Sequence, residues 1–266
     1  MKIVMGGGAM LSHLSVSDRE IAGAQIALLP GDPARVEKIA TTKPIENGRF
    51  VASHREFCTW LGFIRATPIV ITSTGIGGPS TAIAVEELAQ LGVKIFMRVG
   101  TTGALQPYIT MGDVVISSGA VRLDGASAHY APIEYPAVAD YELVWALVRA
   151  AQKLTIPYHV GITCSSATFY PGQERSDSFS QYIIREMRGT KSEWQRLGVL
   201  NYEMEAATLL TMCSALGLRA GCVCGVVDTP TQEEISPENL ELAEQNAIKV
   251  AVTATEIFLG QTAHKP

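Results

Sequence analysis

The 266-residue sequence has no apolar run approaching the roughly 18 residues that suggest a membrane span. A secretory signal is missing too, because Met1 to Met10 holds one Lys and a Gly6-Gly7-Gly8 run but no sustained apolar stretch before a cleavage site. The expectation is a cytoplasmic protein with no membrane partner, its residues 1–12 forming an N-terminal tail or an expression leader and residues 13–266 forming one domain. Positive charge is also scarce. With 21 Lys and Arg against 26 Asp and Glu, the net charge is −5, which excludes a general nucleic-acid binder, whose affinity rests on neutralising many phosphates. Any bound phosphate should therefore be small and held by a few local groups. The five cysteines, Cys58, Cys164, Cys213, Cys222 and Cys224, form no Cys-x-x-Cys pair. They read as small buried hydrophobes rather than a disulfide framework or zinc site. No helical His-x-x-x-His spacing offers a catalytic transition-metal site.

What the chain does have is hydrophobic content, 47%, enough for one large α/β domain. Strand-like apolar runs at residues 25–29, 69–72, 94–99, 113–117, 158–164 and 219–227 alternate with helix-like segments at 33–40, 79–90, 141–154, 205–216 and 237–259. That alternation is the pattern of a sheet covered by helices. Asp32 before Pro33 suits a helix start, and Gly92 and Gly217 suit helix stops. Residues 173–192 are polar and charged and read as a surface loop.

Five segments have residue types suited to chemistry, each with an ordinary structural alternative. Between a strand and a helix lies Pro30-Gly31-Asp32-Pro33-Ala34-Arg35, where Gly31 and Arg35 are anion candidates or parts of a plain turn. Ser73-Thr74-Gly75-Ile76-Gly77-Gly78-Pro79-Ser80 is Gly-rich but lacks the dinucleotide fingerprint. Its glycines read as allowing close backbone approach or subunit packing. In Met97-Arg98-Val99-Gly100-Thr101-Thr102-Gly103 a guanidinium interrupts an apolar strand, so Arg98 needs a carboxylate or a bound anion, the latter fitting best with the hydroxyls beside it. Asn201-Tyr202-Glu203-Met204-Glu205 sets carboxylates at a helix start, to accept from vicinal sugar hydroxyls or merely to cap. Phe169-Tyr170-Pro171-Gly172-Gln173-Glu174-Arg175 offers a ring face and edge donors for a planar base, or an ordinary Pro-Gly loop.

Taken in order from about His13 to about Ile235, these runs, with Ala-Ser-His-Arg-Glu-Phe and Val-Arg-Leu-Asp-Gly-Ala-Ser, resemble the nucleoside phosphorylase family, most closely its uridine-cleaving branch. The resemblance implies a single α/β domain with a central mixed, partly barrel-like sheet flanked by helices. It implies phosphate held by Gly31, Arg35, Arg98 and Thr101, with Arg55 reaching in from a neighbouring subunit, and His13 crossing the same interface to the ribose 5′-hydroxyl. Met204 and Glu205, with Glu203 beside them, would bind ribose; Phe169, Gln173 and Arg175, supported by Thr102 and Gly103, would bind the base. Glu56, Ile76 and Ser80 fall where some relatives hold a monovalent cation, a structural potassium ion. No organic cofactor is implied, only inorganic phosphate as co-substrate. The assembly implied is a homohexamer built from dimers with shared sites. Arg98, Thr101, Gln173, Arg175 and Glu205 would carry an inverting displacement through an oxocarbenium-like sugar, giving free base and α-ribose 1-phosphate.

One run departs from the family. Where the uridine branch usually has Asn-Arg-Thr-Gln, this chain reads Val227-Asp228-Thr229-Pro230-Thr231-Gln232, and Pro230 supplies neither a side-chain donor nor a backbone N–H. Weaker uracil binding or a different base is the expectation. Asp228 has three readings: a loop cap, a base-binding residue, or an acid toward purine N7 as in purine-cleaving relatives. The alternatives to uridine phosphorolysis are a purine phosphorylase or nucleosidase and a low-turnover nucleoside-binding protein.

Overall fold

The computed structural model describes residues 2–5, 8–231 and 236–262. Met1, Gly6 and Gly7 of the expected leader, Gln232 and Ile235 of the divergent region, and residues 263–266 lie outside them. Within the expected tail, β1 (Lys2–Met5) and β2 (Gly8–Leu11) pair antiparallel. The elements that follow are β3 (Ile26–Pro30), α1 (Ala34–Ala40), β4 (Glu46–His54), β5 (Phe57–Ile64), β6 (Thr67–Thr72), α2 (Gly78–Gln90), β7 (Ile95–Ala104) and β8 (Val114–Leu123). Then come β9 (Ala137–Val138), α3 (Tyr141–Leu154), β10 (Tyr158–Ser166), α4 (Thr190–Arg196), β11 (Asn201–Glu203), α5 (Ala206–Ala215), β12 (Arg219–Asp228) and α6 (Pro237–Thr262).

Strands β3 to β12 make one mixed sheet in the order β11-β10-β8-β12-β7-β3-β6-β5-β4, with β9 on β8. A further antiparallel pairing of β11 with β7, Asn201 opposite Ala104 and Tyr202 opposite Gly103, closes β11, β10, β8, β12 and β7 into a five-strand ring. The partly barrel-like sheet implied by the resemblance is this ring, with the other strands as an open arm. Two layers of helix cover it, and strand alternation decides which residue serves which. Ile26 and Leu28 of β3 and Met97 and Val99 of β7 pack with residues of α1, α3 and α6. Ala27, Leu29 and Phe96 pack with α2 and α5 instead. The run Ala220 to Val227 in β12 is buried throughout, as a strand covered on both faces requires.

The punctuation acts as its residue types predict. Asp32 Oδ1 accepts from the Ala34 N–H at 2.8 Å at the start of α1. Gly92 and Gly217, after α2 and α5, have φ of +105° and +69°, a region open to glycine at little cost. Residues 173–192 are not wholly an exposed loop: Gln173 is buried and α4 begins at Thr190. The strands β4 and β5, absent from the periodicity reading, form a hairpin.

Candidate functional site

A cavity of about 650 Å³ opens where β3, β6 and β7 end, and its wall includes Gly31, Arg35, Glu56, Ile76, Arg98, Thr101, Thr102, Gly103, Phe169, Gln173, Arg175, Glu203, Met204, Glu205 and Asp228. The five segments singled out in the sequence thus meet in one place, joined by Glu56 and Asp228. The sequence reading missed Asp32, Tyr202 and Val227, which also line it; none carries a charge interrupting an apolar run or an aromatic ring in a turn. Arg55, His13 and Ser80 are not in this wall.

Arg98 organises one part of the wall. Its Nε donates to Glu203 Oε2 at 2.8 Å, and its Nη2 lies 2.5 Å from Glu205 Oε2. Carboxylates from 105 and more residues away therefore partner the buried guanidinium, where the sequence reading favoured an anion. A buried charge left unpaired would cost several kcal/mol, and each charged hydrogen bond returns about 1.5–3 kcal/mol. Burial disfavours the charged guanidinium, but Glu205 and Glu203 outweigh it and keep Arg98 firmly protonated. Burial also pushes the Glu205 carboxyl up from its ordinary value, against the opposing pull of Arg98.

The carboxylates are themselves fixed from behind. Glu203 accepts from the backbone N–H groups of Glu205 and Ala206 and from the Ser165 hydroxyl, so it caps the start of α5 while holding Arg98. Glu205 Oε1 accepts from the Gly77 N–H at 2.5 Å. That bond explains the Gly-rich turn: Gly77 has φ +93°, and a Cβ on Gly78 would come within 2.3 Å of Thr208 Oγ1, so these glycines serve close approach, as expected. A second guanidinium, Arg35, donates from Nε to Glu244 Oε1 at 2.8 Å, with Nη2 3.4 Å from Thr101 Oγ1.

Another part of the wall is built around Arg175. Its guanidinium lies 4.2 Å from the centre of the Phe169 ring, its Nε donates to Gln173 Oε1 at 3.3 Å, and its Nη2 donates to Asp228 Oδ2 at 2.9 Å. Asp228 rests on β7, where a Cβ on Gly103 would meet Asp228 Oδ1 at 2.2 Å. Asp228 is thus in the wall as an ion-pair partner, whereas Pro230 lines a separate depression with Leu105, Glu174 and Lys191. Thr102 lines the cavity with its hydroxyl donating to the Tyr202 carbonyl at 2.5 Å. Both parts share one strand. From Arg98 to Gly103, β7 advances about 16 Å at ~3.3 Å per residue.

Also in the wall, Glu56 accepts from Ser80 Oγ at 2.9 Å. A bond from its own backbone N–H, then that from Ser80, hold its carboxyl below the usual range. Arg55 is exposed on the two-residue β4–β5 turn with φ +57°, a conformation costing a non-glycine residue about 1–2 kcal/mol. His13 is pinned by Glu87, through its own and Leu14's N–H and through Nδ1 at 2.7 Å. Its carbonyl accepts from His54 Nδ1 at 3.0 Å, which brings His13 to the turn that carries Arg55. Among the described residues no group of three or more His, Cys, Asp or Glu is arranged to hold a metal ion, and no helix is long and apolar enough to cross a membrane.

Comparison with known proteins gives a consistent result. A family model, the phosphorylase superfamily, matches residues 25–260. A uridine phosphorylase of Escherichia coli is 54% identical over 93% of this chain and 97% of its own length. One of Haemophilus influenzae is 55% identical over 93% and 98%. A guanosine phosphorylase of Halorubrum lacusprofundi is 40% identical over 80% and 81%.

Proposed function

Because the chain belongs to the phosphorylase superfamily, we propose that its cavity cleaves uridine with inorganic phosphate, releasing uracil and α-ribose 1-phosphate. The observation that carries this reading is the joining of two differently built groups along β7. Arg98 is held by buried carboxylates and Arg35 approaches Thr101 in the same wall, and Arg175 lies stacked on Phe169 beside Gln173.

In this reading Gly31, Arg35, Arg98 and Thr101 bind phosphate. Glu205 accepts from the ribose hydroxyls, Met204 packs on the sugar, and Glu203 holds Glu205 and Arg98 in register. Phe169 stacks on the base while Gln173 and Arg175 address its edge, with Thr102 and Gly103 as the floor. Stretching of the glycosidic bond leaves positive charge on the sugar, which the phosphate stabilises and then attacks from the opposite face. The electron pair of the broken bond goes to uracil, and Arg175 and Gln173 receive that charge. The preorganised wall supplies electrostatics rather than a strong base.

His13 and Arg55 belong, in the same proposal, to the site of a neighbouring subunit. Their joint position outside their own cavity and the left-handed backbone at Arg55 support it, since strain of that kind collects at functional positions. The active unit is then a dimer, assembled into a homohexamer in the cytoplasm, acting in pyrimidine nucleoside salvage, and Glu56 with Ser80 and the Ile76 backbone takes a potassium ion.

A second reading has two observations in its favour: a carboxylate, Asp228, stands in the wall beside Arg175, suited to a base edge bearing N–H donors, and a guanosine phosphorylase is among the relatives. Incubation with uridine, thymidine, inosine, guanosine and methylthioadenosine, each with and without phosphate, separates the readings. Phosphate-dependent release of uracil is expected. Base release that ignores phosphate, or cleavage of purine nucleosides alone, would overturn the proposal.

A further inference from the structure

Helix α6 opens with three acids spaced three apart, Glu238, Glu241 and Glu244. The first two are exposed, as a solvated helix face predicts, but Glu244 is 7% exposed. A carboxylate taken out of water needs partners, and Glu244 has two, both on α1. Its Oε1 accepts from Arg35 Nε at 2.8 Å and its Oε2 from Lys38 Nζ at 3.1 Å. Arg35 is a wall residue of the cavity with Nη2 3.4 Å from Thr101 Oγ1, whereas Glu244 does not line the cavity.

We propose that Glu244 is a positioning residue for phosphate: it grips Arg35 by Nε from behind and so sets the Nη face of the guanidinium toward the phosphate that Thr101 and Arg98 also bind. The inference rests on the phosphorylase reading of the cavity. An arginine side chain carries large rotamer entropy, and its planar fork recognises an oxyanion well only when its plane is fixed. Held at one edge by a buried carboxylate, Arg35 meets phosphate already oriented. The charge of Glu244 acts in the opposite direction, because an acid close to an anion site weakens anion binding by Coulomb repulsion. Geometry and charge therefore predict opposite signs for the same substitution.

The test uses the full chain carrying Glu244→Gln or Glu244→Asp, with steady-state kinetics and calorimetric titration of inorganic phosphate in the absence of nucleoside. Glu244→Gln removes the charge and weakens the grip on Nε; Glu244→Asp keeps the charge but withdraws it by one methylene. Both should raise the KM for phosphate about tenfold, with an equal rise in the calorimetric Kd. The KM for uridine and kcat at saturating phosphate should stay within about twofold. Lys38→Ala, which leaves the Arg35 bond intact, should change neither constant. Tighter or unchanged phosphate binding in Glu244→Gln would overturn the proposal, as would a parallel rise in both KM values or failure of both variants to fold. Wild-type protein that binds phosphate but leaves uridine intact would overturn the functional reading instead.

Discussion

Replacing Asp228 by Asn tests whether Arg175, in its proposed role at the base edge, depends on its tether. The Asp228–Arg175 bond is 2.9 Å long with side chains 13% and 25% exposed, so it is partly screened. A charge-assisted bond of this kind is worth about 2 kcal/mol, and a neutral acceptor of the same shape gives about half. The loss is then about 1 kcal/mol, which corresponds to about a fivefold rise in the KM for uridine. Stacking on Phe169 keeps the loss from being larger. Steady-state kinetics should show this rise with the KM for phosphate unchanged, and the effect should vanish in an Arg175→Ala background. The reasoning is refuted if Asp228→Asn raises kcat/KM for uridine, which would mean that the carboxylate chiefly repels the charge forming on the leaving base. It is equally refuted if the fivefold penalty persists without Arg175.

In the role proposed for Phe169, Phe169→Ala takes away a stacking face worth about 1–3 kcal/mol per base; the KM for uridine should rise about tenfold or more, and phosphate affinity measured without nucleoside should not move. Glu205, whose carboxyl is raised by burial, holds its proton more tightly in the folded chain than in the unfolded one. Its stabilising contribution is thus complete below the unfolded value and disappears as pH climbs through the folded one. The melting temperature of wild type relative to that of Glu205→Gln should accordingly fall as pH rises above 4.5, the ordinary glutamate value, and a difference that does not change with pH would count against it. If sites are shared, Arg55→Ala and Glu205→Gln proteins, each nearly inactive, should regain activity when unfolded and refolded together; no recovery in mixed assemblies would contradict donation of Arg55 across an interface.

The sequence was readable where residue type and local pattern coincide. The β3 run, the Asp32-Pro33 start of α1 and the buried β12 announce themselves through apolar periodicity and punctuation. So does Arg98, because a guanidinium in an apolar strand demands a partner, although which partner depends on β11 closing the ring beside β7, a contact between segments a hundred residues apart. The β4 strand, Glu46–His54, is largely exposed and therefore has no apolar alternation to betray it. Glu244 gave no signal, since in sequence it is one of three similar acids and only its ion pairs with Arg35 and Lys38 of α1 distinguish it. Asp228 was legible as an anomaly, but its pairing with Arg175 was not.

Strand β7 bonds to β3 of the open arm and to β12 and β11 of the ring. Backbone amides in such a strand are released to solvent only when the sheet itself opens, so hydrogen exchange there should approach the rate set by global unfolding. Arg98, Thr101 and Gly103 all ride on this strand. The part of the wall that rides on β7 is then as durable as the fold, whereas Phe169, Gln173 and Arg175, on the segment that follows β10, can breathe without disturbing it.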